Sequence, residues 1–207
     1  YFMSEGSIWF NKDRDYAPLR VTFDFNTATD GDYIAELVRC LKTVIPDAAI
    51  KVATTNERES CTEVRVNSSQ LAKALDHECG HGYENKRIPA WILNNDRYSA
   101  LCLRALFRGD GSSHADGLSF SSISPHLAHG VSLMLRRHGI PSTLQYHPKR
   151  VGGDGVVHRP AYDLGVNNAA YIDKLAEIVG MPIRHQMQDK KYPNYIWLSR
   201  TGDESNF

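Results

Sequence analysis

"LRALFRGDGSS", residues 103–113, ends an apolar run in an acid held between two glycines. Upstream, Tyr98, Leu101, Cys102, Ala105 and Leu106 recur at helical spacing, and a further step of four from Leu106 lands on Asp110. The spacing predicts a helix that delivers a carboxylate at the C-terminal end of its buried stripe. A negative charge is disfavoured there by the helix dipole and by desolvation. Gly109 and Gly111 allow close backbone approach or positive φ. A bound cation would offset the charge; a solvated Asp at a plain helix C-cap is the alternative.

The same acid-Gly-Ser unit occurs in Glu5-Gly6-Ser7, which prompts a search for an internal repeat. "VNSSQLAKALDHECG" (66–80) matches "VNNAAYIDKLAEIVG" (166–180), with Val66, Asn67, Leu75 and Gly80 falling on Val166, Asn167, Leu175 and Gly180. "KRIP" (86–89) matches "KKYP" (190–193). Three matches in the same order indicate a duplicated unit. Each copy carries an acid after a helix and, far downstream, a lysine before a proline: Glu5 with Lys86, Asp110 with Lys190.

The periodicities give each copy a shape. After Glu5 come a strand (18–26), a helix (30–42), two strands (49–55 and 61–68) and a helix over 69–79 closed by Gly80. After Asp110 come a strand (117–122), a helix with Ser124 as N-cap, two strands joined across Gly152, Gly153 and Gly155, and a helix ending at Gly180. The fold class is α+β, a duplicated αββαββα unit. Residues 1–80 form the first half, 81–97 a linker and 98–207 the second half.

The 207 residues suffice for a sizeable core, and 24 basic residues balance 24 acidic ones. A nucleic-acid partner would therefore need basic residues concentrated on one face. No run is long and apolar enough to span a membrane, and no signal peptide is evident. Cys40, Cys61, Cys79 and Cys102 are widely spaced and read as buried thiols in a reducing, cytoplasmic setting. "HECGH" (77–81) fits the H-E-x-x-H zinc pattern, but Gly80 aligns with a helix-ending glycine, which puts His81 beyond the helix.

Leu103, Leu106, Asp110 and Gly111 match a LAGLIDADG motif, with Phe107 for its isoleucine and Gly109 for the small residue before the acid. Tyr1 to Gly6 match the end of a second such motif, with Glu5 in place of aspartate. With "KRIP" and the duplication, the chain resembles the two-motif, single-chain LAGLIDADG homing endonucleases, of the kind often embedded in inteins. The match begins inside the first motif helix, so the chain reads as part of a longer polypeptide, with an attached splicing domain as one expectation.

The resemblance implies a pseudo-twofold homing-endonuclease fold whose two antiparallel sheets form a saddle on double-stranded DNA. It implies a monomer with an internal pseudo-dimer that makes metal-dependent double-strand breaks at a long site. Divalent cations, usually Mg²⁺, would be held by Glu5 and Asp110 with the carbonyls of Ser4 and Gly109, offsetting charge on scissile phosphates. Lys86 and Lys190 match family lysines that help activate water or stabilise charge. Strand residues would face DNA, with Arg20, Lys51 and Arg65 as candidates in the first half. Gln145, His147, Lys149, Arg150, Arg159 and Tyr162 are candidates in the second. The alternative is a catalytically degenerate relative, intein-embedded or regulatory, that only binds DNA.

Overall fold

Helical and strand periods alternate in the same order in both halves of the chain. The computed structural model describes residues 1–12, 15–55, 58–114, 117–151 and 155–180. The chain divides into two units, Tyr1–Ala90 and Trp91 onward. In the first, α1 (Phe2–Glu5) is followed by β1 (Gly6–Asn11), β2 (Ala17–Asn26), α2 (Gly31–Val44), β3 (Ala49–Thr55), β4 (Arg58–Asn67) and α3 (Ser69–Cys79). A single turn, α4 (Ala90–Leu93), lies at the boundary. The second unit runs α5 (Asp96–Asp110), β5 (Gly111–His114), β6 (Gly117–Ser122), α6 (Pro125–Arg137) and β7 (Thr143–His147). The short β8 (Arg150–Val151) and β9 (Val157–His158) then precede β10 (Ala161–Val166) and α7 (Ala169–Val179).

Sheet connectivity is the same in both units. The first sheet has the order β1-β2-β4-β3 and the second β5-β6-β10-β7, all neighbours antiparallel. The expected αββαββα duplication is therefore present. Two strands of that pattern had no position assigned from the sequence, β1 and β5, each an edge strand that starts directly at the end of the motif helix. A further element is the two-residue β8–β9 ladder, which lies within the connection from β7 to β10 and has no counterpart among the described residues of the first unit.

Alternation sorts each sheet into two faces. In β2, Val21, Phe23 and Phe25 are buried, as are Val64 and Val66 of β4, while α3 packs on β2. In the second unit Leu118 and Phe120 of β6 and Leu164 and Val166 of β10 are buried in the same way. The helices supply Leu37 and Leu41 from α2, and Ile172, Leu175 and Val179 from α7. At roughly 1.5–3 kcal/mol for each fully buried aliphatic side chain, these faces supply the main driving force of each unit.

Caps fix the helix starts. The side chains of Ser68, Asn95, Ser124 and Asn168 accept from backbone N–H groups in the first turns of α3, α5, α6 and α7. Gly80 and Gly180, matched in the repeat, close α3 and α7 with φ of 71° and 65°. A Cβ at Gly80 would lie 2.3 Å from the carbonyl oxygen of Asn85, because the chain turns back on itself there. Not every repeat position is equivalent: Leu175 is fully buried, Leu75 only half-buried.

Candidate active site and nucleic-acid interface

In both units the acid is the last residue of a helix and the next residue is the first of a strand. Glu5 ends α1 and Gly6 opens β1; Asp110 ends α5 and Gly111 opens β5. The Gly6 N–H donates to the Phe2 carbonyl and the Gly111 N–H to the Phe107 carbonyl. Both glycines are extended, with φ, ψ of −87°, 146° and −81°, 152°. Positive φ is thus not the reason for glycine. A Cβ on Gly6 would lie 2.7 Å from the Phe2 Cα, and one on Gly111 would lie 2.1 Å from the Phe107 carbonyl oxygen. The strand folds back against the helix's last turn, and only a residue without a side chain fits. Gly109 lies inside α5.

The stripe on α5 differs by one position from the sequence reading. Ser99, Cys102, Leu103, Leu106 and Phe107 are buried, whereas Tyr98 and Leu101 are 46% and 52% exposed. Asp110 still follows Cys102 and Leu106 on one line, but it is exposed and Glu5 is half-buried. Desolvation therefore does not burden Asp110. What remains is the unfavourable placement of both carboxylates at helix C-termini, where the dipole adds negative potential.

Lys86 is brought to the first of these acids by a folded-back segment. The Arg87 N–H donates to the Cys79 carbonyl at 2.8 Å, and the Arg87 guanidinium donates to the His77 carbonyl. This pins residues after Gly80 against the end of α3. Lys86 is buried at 9% exposure, with Nζ donating to the Ser4 carbonyl at 3.3 Å and lying 5.6 Å over the Phe2 ring. A lysine so placed offsets the negative end of α1 beside Glu5. The Ser4 carbonyl, a candidate metal ligand, thus already accepts from a cationic group. Lys190 lies outside the described residues.

Strand register decides which candidate DNA residues share a face. Ser7, Thr22, Arg65 and Lys51 form one row across β1, β2, β4 and β3, and Trp9 and Arg20 start the next row on the same side. The opposite side carries the buried Val21, Phe23, Val64 and Val66, so Arg20, Lys51 and Arg65 lie together on the open face. Arg65 Nη2 pairs with Glu63 at 2.6 Å along the same strand.

In the second sheet, Gln145 and His147 lie on the open face with Ser119, Ser121 and Asp163. His147 Nε2 is 2.9 Å from Asp163. Tyr162 is a correction. It alternates with Leu164 and Val166, pairs with Tyr146, and its ring is 6.0 Å from that of His129 on α6, so it belongs to the helix-covered side. Lys149, Arg150 and Arg159 are exposed around the β8–β9 ladder rather than on the sheet. The basic groups of the two units are therefore arranged differently: on the open face of the sheet in the first, on a hairpin extension in the second.

The H-E-x-x-H pattern is broken by the fold. Helix α3 ends at Cys79, and His77 and His81 turn to Glu78 and Asp76 respectively. Among the described residues no group of three or more His, Cys, Asp or Glu is placed to hold a metal. Of the four cysteines, Cys79 and Cys102 are buried as expected, but Cys40 is exposed and Cys61 half-exposed. Burial, aided by Glu78, pushes the Cys79 thiol up to about 11. In the second unit His138 Nε2 is 2.8 Å from the buried Ser99 Oγ, which itself donates to the Asp96 carbonyl. Burial holds this imidazole below its ordinary value, against an opposing effect of Asp96. No helix is long and apolar enough to cross a membrane among the described residues.

Residues 97–180 match a family described as the LAGLIDADG-like domain. The chain is 31% identical over 166 residues to the ATP-dependent DNA helicase Hel308 of Thermococcus kodakarensis, covering 76% of this chain but only 14% of that relative's length. Among solved structures it is similar to mesophilic variants of the homing endonuclease I-DmoI, with a TM-score of 0.65 and 16% identity, covering 88% of this chain and 93% of that one. I-DmoI in complex with DNA and Ca gives a TM-score of 0.64 at 15% identity, covering 89% and 87% of the two chains. A variant of I-DmoI with its target DNA in the presence of Mg gives 0.63 at 17% identity, covering 87% and 92%.

Proposed function

From a two-motif chain of the LAGLIDADG homing-endonuclease fold, with a LAGLIDADG-like domain at residues 97–180, we propose a site-specific DNA endonuclease that makes metal-dependent double-strand breaks. The observation that carries this reading is the paired junction. Two units independently end a helix in a carboxylate and open a strand at a glycine that no other residue can replace without a clash. One acid per unit suits one phosphate on each strand of a duplex.

The donors at these junctions are hard oxygens, which fit Mg²⁺ or another hard divalent cation better than a soft one. Glu5 in the first unit and Asp110 in the second would each hold such a cation, which would supply positive charge where the phosphodiester transition state gathers negative charge. Lys86 holds its ammonium beside Glu5, where it stabilises negative charge and orients the helix end. Lys190 takes the corresponding part in the second unit by the repeat. The open sheet faces bind the duplex: Arg20, Arg65 and Lys51 from the first, Gln145 and His147 from the second, with Lys149, Arg150 and Arg159 alongside. Both halves of the machinery are in one chain, so it acts as a monomer, on DNA inside the cell. The helicase match covers 14% of a longer polypeptide, which suits a domain embedded in a larger chain; an attached splicing domain is a separate part of the proposal.

The test is a cleavage selection with the full chain on a library of candidate insertion-site duplexes, with Mg²⁺ and with EDTA. Cutting of both strands in Mg²⁺ alone supports the endonuclease. Specific binding with no cutting in any divalent metal replaces it with the degenerate DNA-binding reading.

A further inference from the structure

On the open face of the first sheet a half-exposed tryptophan meets an arginine whose Nε has no hydrogen-bond partner among the described residues. Trp9 of β1 stands directly across from Arg20 of β2. Trp9 is 55% exposed, and the Arg20 guanidinium carbon lies 4.3 Å from its ring centroid. The register slips immediately after Trp9, between Trp9 and Phe10. Such a bulge increases local twist and re-aims the side chains beside it. The Arg20 Nε is shielded from water and has no hydrogen-bond partner among the described residues.

Each of these features is unfavourable for the free protein. A shielded N–H without an acceptor loses its hydration, and an exposed indole leaves apolar surface in water. A bound partner that covers the indole resolves the second; the shielded Nε–H stays out of its reach. A guanidinium stacked on an indole keeps its in-plane N–H groups pointing outward, and with Nε shielded the two Nη groups are its donor pair. That pair matches O6 and N7 of guanine in the major groove, which a two-stranded β-ribbon can enter. A phosphate could also accept the pair. The indole alongside favours a base edge, since it offers apolar contact and nothing to a charged oxygen. The exposed Lys51, one row away, is the better phosphate contact.

We propose that Trp9 is a positioning residue for DNA sequence reading: it holds Arg20 flat so that Arg20 recognises one guanine. This rests on the DNA-binding reading given above. The full chain is first used to enrich binding sites from a pool of randomised duplexes. Binding is then measured for all four bases at each position of the enriched site. Arg20→Ala should lose a preference for guanine at one position, about five- to 150-fold for a bidentate pair. Trp9→Leu should weaken that same preference by about two- to fivefold, with other positions and the salt dependence unchanged. Trp9→Phe should restore most of it. Arg20→Lys, which keeps the charge, should lose the preference while keeping the salt slope.

The assignment is overturned if Trp9→Leu weakens binding to every sequence equally, or if Arg20→Ala leaves all guanine preferences intact. Failure of the wild-type chain to enrich any duplex overturns the DNA-binding reading itself, and this assignment with it. Enrichment followed by unchanged preferences in the variants overturns this assignment alone.

Discussion

Replacing Gly111 with alanine adds one methyl group at the most crowded backbone position of the second motif. That methyl would sit 2.1 Å from the Phe107 carbonyl oxygen, 2.6 Å from its Cα and 2.7 Å from its carbonyl carbon. All three neighbours are backbone, so no side chain can swing away. Phe107 is fully buried and packed 5.9 Å, centroid to centroid, from Phe120, which pairs with Gly111 in the β5–β6 ladder. Relief requires moving the last turn of α5 or detaching β5. Overpacking of this kind costs about 1–3 kcal/mol, and an all-backbone clash belongs at the upper end or beyond. The backbone angles suit alanine, so the effect is purely steric. Urea unfolding, with midpoint and slope fitted separately, reads it directly. Gly31→Ala is the internal control: it lies in the first turn of α2 with nothing within 4 Å of the new methyl. It should be neutral or stabilising by up to about 1 kcal/mol. The reasoning fails if Gly111→Ala unfolds within about 0.5 kcal/mol of wild type, the range of an ordinary surface change.

Three further outcomes follow from other sites. Lys86→Met should destabilise the first unit by about 1–3 kcal/mol, because the Ser4 carbonyl loses a charged donor; urea unfolding checks it. It should also slow cleavage more than it weakens duplex binding. The His138 imidazole titrates below its ordinary value of 6.5, so the folded state prefers it neutral. Its contribution to stability is complete above that value and is lost as the pH falls through 6.5 toward the lower folded value. His138→Gln should flatten that part of a stability–pH curve. A thiol reagent at neutral pH should label the exposed Cys40 first and the buried Cys79 last, since a thiol raised to about 11 carries almost no thiolate. Peptide mapping gives the order, and early labelling of Cys79 would contradict its burial.

Much of the fold was readable because local signals and the repeat agree. Helix α3 was placed at 69–79 by the repeat and by the glycine that closes it, and β3 and β6 by short apolar alternation between turns. Strands β1 and β5 were not, because each begins at the residue after a helix, with no turn to mark the change of period. "GSSH" also lacks apolar alternation altogether. The stripe on α5 was displaced because two sets of positions share the helical period. Ser99 counts as polar in sequence yet is fully buried against His138, while Tyr98 and Leu101 stay exposed. The side of Tyr162 was legible in its alternation with Leu164 and Val166. The pairing of Trp9 with Arg20 was not, since it depends on cross-strand register. The repeat linked Glu5 to Lys86 across the first unit, but only the backfold after Gly80 shows the ammonium on the Ser4 carbonyl.

The central claim is that one carboxylate from each unit drives cleavage. Its most direct test uses a plasmid bearing the selected site, with the wild-type chain and the Asp110→Asn variant compared in Mg²⁺ under conditions where both bind the site. The account predicts linear product from the wild type, none in EDTA, and none from the variant despite undiminished binding. Linear product from Asp110→Asn at the wild-type rate would contradict it.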